Sequence, residues 1–263
     1  EAEYRMGEVR ESKGNAYLAF LTSTHFAIHV YTMLLPALLL PLQDELGVSL
    51  VQISLLASVP KLLNVFIYIP VGLVSDKYPS QILTLSFVAA TAGALVVPIA
   101  RSFLSLLLGF LLLSIGSTLF HPPSLRMASE YDPEKRSYAL GFYNIGSNLG
   151  FAAGPLLLGY MLNSRGWRYS FYIWAILSVA MVGVSNIYTR RMLKSDEIST
   201  KGFDLRAGFS TLLTRGFMMV VAMSTLLEMF FVILVTYIPA YFTTQLGMSY
   251  SLSSTIAGLG PLT

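Results

Sequence analysis

GFYNIGSNLGFAAGPLLLGYM occupies residues 141–161 and carries no charged side chain. Gly146, Gly150 and Gly154 recur every four residues, so on a helix they form one smooth face that a neighbouring backbone can approach closely. Pro155 removes a backbone donor and bends the helix. Asn144 and Asn148 lie four residues apart on one face, where they can hydrogen-bond a polar substrate or a neighbouring helix. The run is long enough to cross a bilayer, which takes about 20 apolar residues.

The rest of the chain repeats that pattern. Of 263 residues, 54% are hydrophobic and only 12% charged, and mean hydropathy is +0.64. A soluble domain carries roughly a quarter charged residues, so a water-soluble reading is poor. The length rule predicts helices at 16–42, 50–74, 81–100, 103–128, 137–162, 167–189 and 216–243, with an eighth starting near Ser249. The fold class is therefore all-α and polytopic. Residues 1–15 read as a polar N-terminal tail, 16–189 as a six-helix bundle, 190–215 as an inter-bundle linker, and 216–263 as part of a second bundle. Half a helix leaves carbonyls unsatisfied in hydrocarbon, so the chain reads as a piece of a longer protein.

Basic residues orient the bundle. With the N-terminus in the cytoplasm, thirteen Lys and Arg residues fall inside, including Arg5, Lys77, Arg126, Arg190 and Arg215. Arg101, Arg165 and Arg168 fall outside, a clear positive-inside bias. The expected location is the plasma membrane, multi-pass, with a cytoplasmic N-terminus.

No His-Glu-x-x-His, Gly-x-Ser-x-Gly or phosphate-binding loop occurs, so nothing points to an enzyme. The chain has no cysteine, and no basic, aromatic-interleaved surface suits nucleic acid. No cofactor is expected.

The ionisable residues inside spans carry the functional reading. Lys61 follows Pro60 with Asn64 nearby, and Glu228 lies in the seventh span. A charge at mid-span costs roughly 2.5–3.5 kcal/mol on insertion scales, so each needs a cavity or a partner. The expectation is that the two approach each other or share a central cavity, with Glu228 as a candidate proton carrier. His25 and His29 share one helical face and are candidates for proton or substrate contact. Such a pair can chelate a metal, but no third ligand lies near it in sequence, so no metal is assigned.

A second stretch, GSTLFHPPSLRMASE at 116–130, ends an apolar run with His121, Pro122, Pro123 and Arg126. The paired prolines cannot donate backbone hydrogen bonds and are expected to weaken the helix. His121 then offers a titratable group, and Arg126 a fixed positive charge near the cytoplasmic mouth.

Three stretches together carry a resemblance. Gly72, Asp76 and Lys77, in PVGLVSDKYPSQ, resemble the loop 2–3 motif of the major facilitator superfamily, with Pro79, Ser80 and Gln81 replacing its glycine and basic pair. Gly150, Gly154, Pro155 and Gly159 resemble the fifth-helix motif of that superfamily's antiporters, with Leu158 replacing a glycine. With FHPPSLRMAS and DKYP, the whole resembles the fosmidomycin-resistance group of drug/proton antiporters, whose first helix carries a histidine where this chain has His25. The arginine that many antiporters place in helix four is absent, with Phe110 near its position.

The resemblance implies a major facilitator fold: a complete N-terminal six-helix bundle and the first one to two helices of the C-terminal one. It further implies alternating-access export of a small drug-like or metabolite molecule in exchange for protons, by a monomer in a lipid bilayer. The glycine residues and Asp76 would serve moving interfaces. A proton-coupled symporter for a sugar or organic anion, and a non-transporting receptor or scaffold, are the alternatives.

Overall fold

The first apolar stretch is two helices, not one. In the computed structural model, α1 (Ala2–His29) ends at a break over residues 30–33, and α2 (Leu34–Leu46) resumes. The break contains neither glycine nor proline. Pro36 sits in the first turn of α2, where it cannot donate to the Thr32 carbonyl and crowds it. Backbone bonds from Thr32 to His29 and from Leu34 to Tyr31 tighten the junction. The expectation of one helix over 16–42 is corrected here, and α1 reaches back through the segment read as a tail.

The structure describes residues 2–131, 134–192 and 214–259, with side chains from Gly14 onward except those of 189–192, Glu228 and Val232. The remaining helices are α3 (Leu50–Lys77), α4 (Pro79–Ile99), α5 (Phe103–Ser129), α6 (Arg136–Ser164), α7 (Arg168–Met192), α8 (Arg215–Thr244) and α9 (Tyr250–Leu259). Seven stretches are long and apolar enough to span a membrane, α1 and α2 together forming one of them. No strand occurs among the described residues. Most of the linker, 193–213, lies outside them.

Local sequence sets most helix ends. Ser49 with Gln52 and Ser102 with Ser105 close reciprocal capping boxes at the starts of α3 and α5. Gly47 ends α2 in the left-handed region at φ 64°, which a side chain would strain. Pro122 and Pro123, expected to weaken the fourth span, lie inside α5, which runs on unbroken to Ser129.

Helix α4 packs on α5 and α7, α1 on α6, and α3 on α5. Lipid tails are as apolar as leucine, so close packing rather than apolar burial holds such helices together. A Cβ at Gly93 would sit 2.7 Å from the Leu113 nitrogen, and one at Gly116 2.8 Å from the Ser86 carbonyl, so α4 and α5 meet backbone to backbone. Phe87, Phe120 and Phe171 fill the centre, each fully buried.

Helices α8 and α9 join this bundle at one end. Helix α9 packs on α6, and α8 touches α2. Every described side chain from Thr214 to Leu234 is exposed, so the first two-thirds of α8 stands clear of the six-helix bundle.

Candidate functional site

The α1–α6 contact places the site's first histidines. A Cβ on Gly146, Gly150 or Gly154 would collide with the carbonyl oxygens of Thr22, Phe26 and Val30 respectively. The glycine face of α6 therefore lies directly on the backbone of α1 around His25 and His29.

His25 and His29, both buried, meet His121 from α5. One ring nitrogen from each lies within 4.8 Å of the others. His29 Nε2 is 3.2 Å from His121 Nε2. His25 Nδ1 lies 2.7 Å from the Tyr143 carbonyl oxygen, and His121 Nδ1 lies 2.6 Å from that of Ser117. A carbonyl oxygen only accepts, so both Nδ1 atoms carry the proton. The third ligand that sequence spacing could not supply comes from a helix ninety-two positions away.

Aromatic rings wall the cluster. Tyr143 stacks on His25 at 3.7 Å between centroids, and Phe151 meets His29 edge-on at 4.4 Å. The Tyr143 hydroxyl shares a 2.9 Å hydrogen bond with Ser124. Tyr143 and Phe151 lie on α6 and Ser124 on α5, and none of the three was singled out by the sequence.

One to two turns along α5, the Asn64 amide donates to Ser114 Oγ at 2.8 Å, tying α3 to the face of α5 that carries Ser117 and His121. Lys61, three residues earlier on α3, is exposed and has no ion-pair partner among the described residues. The expected Lys61–Glu228 approach involves a side chain outside the described residues. Above Lys61, an apolar cavity of about 300 Å³ lies between α2, α3 and α8, lined among others by Leu35, Ile53, Ala57 and Thr236. Asn144 and Asn148 are exposed on α6.

Arg126 is not a free charge. Its Nη1 lies 3.2 Å from Asp76 Oδ1 and its Nε 2.9 Å from Glu130 Oε1, so the end of α5 is tied to the end of α3. Lys77 instead lies over the Tyr78 ring, 5.2 Å from its centroid. A Cβ added at Gly72 would meet nothing within 4 Å among the described residues.

The opposite end of the bundle holds a network that sequence reasoning missed. Glu45 accepts from Trp167 Nε1 at 2.6 Å and pairs with Arg168, whose Nε donates to the Pro98 carbonyl at 2.8 Å. Here α9 docks on α6. Ser254 donates to the Pro155 carbonyl at 2.8 Å, Asn163 to Ser251 at 2.9 Å, and a Cβ on Gly159 would meet Thr255 Oγ1 at 2.6 Å. The Tyr250 hydroxyl donates to Asp44. A charged residue at a span end is ordinarily solvated, so the sequence carried no signal that Glu45 and Arg168 meet.

The family model of the Major Facilitator Superfamily matches residues 20–263. The chain belongs to that superfamily. Among relatives, the fosmidomycin resistance protein of Escherichia coli (strain K12) is 27% identical over 150 residues, covering 57% of this chain and 37% of that protein. The quinolone resistance protein NorB of Staphylococcus aureus (strain bovine RF122 / ET3-1) is 26% identical over 167 residues, covering 63% and 36%. The matched region thus spans little more than a third of these relatives. A bacterial homolog to the human lysosomal transporter Spinster, solved in an inward-facing and unoccupied conformation, is 19% identical with a TM-score of 0.71, covering 95% of this chain and 60% of that one. The fold is that of major facilitator transporters.

Proposed function

We propose that the parent protein exports a small drug-like or metabolite molecule in exchange for protons, by alternating access. The observation that carries this reading is the way α8 and α9 meet the six-helix bundle. Helix α9 is docked on α6 and the end of α8 on α2 at the Glu45–Arg168 end, while the first two-thirds of α8 stands clear of the six-helix bundle towards the Asp76–Arg126 end. Two bundles hinged at one end and parted at the other leave a central site open to one side, which is what a carrier requires.

In this reading the N-terminus is cytoplasmic, the membrane is the plasma membrane and the open end faces inward, as the positive-inside bias supports. His25, His29, His121, Asn64, Asn144 and Asn148 contribute polar contacts along the substrate path. Lys61 and Glu228 are the ionisable residues assigned to proton coupling, because each lies within a span. Gly146, Gly150, Gly154, Pro155 and Gly159 form the packed joints, and the Asp76–Arg126 pair ties α3 to α5 at the open end. The names of the fosmidomycin and quinolone resistance relatives support export over import.

The test uses the full-length protein in proteoliposomes under an imposed pH gradient, with a panel that includes phosphonates and quinolones. Substrate-dependent proton movement opposite to substrate flux is expected. Movement in the same direction makes the protein a symporter, and no flux with any compound overturns the reading.

A further inference from the structure

We infer that His25, His29 and His121 form a binding site for a divalent transition-metal ion of the zinc class, with its fourth position taken by an anion. The distances fit. Two nitrogens each about 2.05 Å from a tetrahedral ion lie about 3.3 Å apart, and His29 Nε2 and His121 Nε2 are 3.2 Å apart. The His25 nitrogen lies within 4.8 Å of both, so a ring shift of roughly 1.5 Å completes the set.

The protonation pattern fits independently. His25 and His121 each donate through Nδ1 to a backbone carbonyl, which in a neutral imidazole leaves Nε2 as a lone pair. This is the outer bond that fixes the ligating tautomer of a metal-bound histidine. His25 is 4% exposed, and its Nε2 has no hydrogen-bond partner among the described residues. A buried acceptor left unpaired is costly, and a metal ion removes that cost. His29 is the adjustable member. Without a metal its Nε2 proton is shared with His121; with one, that proton moves to Nδ1, which lies 3.3 Å from the Thr32 hydroxyl. A hydroxyl accepts or donates, so Thr32 suits both tautomers.

The site has a distinct mechanical position. His29 is the last residue of α1 before the break, so an ion would clamp that joint to α5. Three neutral imidazoles leave the ion its double charge inside a low-dielectric bundle. The fourth ligand is therefore anionic, such as chloride, hydroxide or a carboxylate.

The experiment is a cobalt(II) and zinc(II) titration of the full-length protein, purified without a histidine tag. One ion per chain with the intense visible bands of tetrahedral cobalt is expected, displaced by zinc. His121→Ala and His25→Ala should each weaken binding by at least about 100-fold. Should either variant fail to fold, X-ray absorption of zinc-loaded wild type decides, with three imidazoles expected in the first shell. No stoichiometric binding, unchanged affinity in folded variants, or a shell with fewer than three imidazoles overturns the site. None of these readouts requires transport, so the site stands or falls apart from the export reading.

Discussion

Arg126 and Glu45 hold opposite ends of the bundle with different stakes. The Arg126 and Asp76 side chains are 33% and 57% exposed, and ion pairs in such settings contribute about 0–1 kcal/mol. Arg126→Gln should therefore leave the melting temperature nearly unchanged while slowing transport severalfold, because the pair is placed to tie moving helix ends. An unchanged transport rate would remove that role. Glu45 accepts from both Trp167 and Arg168 but is 45% exposed, and glutamine keeps an acceptor for Trp167, so Glu45→Gln should cost about 1 kcal/mol or less in thermal unfolding. Sequence named Asp76 as part of a moving interface and Arg126 as a fixed positive charge. It could not say that they meet, because the pairing crosses fifty positions and depends on how α3 packs on α5. The histidine cluster was half legible for the same reason: helical spacing joined His25 to His29, whereas only packing brings in His121.

Among the helices, hydropathy found every span, because a bilayer imposes length and apolarity on each segment separately. The break after His29 escaped it. Its residues are ordinary helix formers, and the cause, Pro36, lies beyond the break. The reverse held at Pro122 and Pro123, where neighbouring helices sustain α5 through a pair expected to weaken it. Glycines need the same care. Gly154 lies against the Val30 backbone and Gly72 meets nothing within 4 Å, though both belong to stretches that resemble superfamily motifs. Gly154→Ala should destabilise the protein by about 1–3 kcal/mol through overpacking. Gly72→Ala should be neutral or slightly stabilising, since alanine favours a helix by about 0.5–1 kcal/mol over glycine. Parallel thermal or denaturant unfolding of the two variants checks the contrast, and equal losses would contradict it.

For the whole molecule, the central claim is that the bundles part and close around a fixed site. The docked end includes polar contacts, Asn163 to Ser251 and Ser254 to the Pro155 carbonyl, beside the close packing of Gly258 on Pro155 and Leu156. Such polar contacts can be broken and re-formed at modest cost, about 0.6 kcal/mol each on average within membranes. Residues 1–263 contain no cysteine, so a pair introduced here meets no competing thiol within them, and any cysteine elsewhere in the full-length protein is replaced first. The most direct measurement is substrate flux by the full-length Asn163→Cys, Ser251→Cys protein in proteoliposomes, before and after oxidation. Locking α6 to α9 should abolish transport, and reduction should restore it. Full-rate transport by the cross-linked protein would contradict alternating access through this joint.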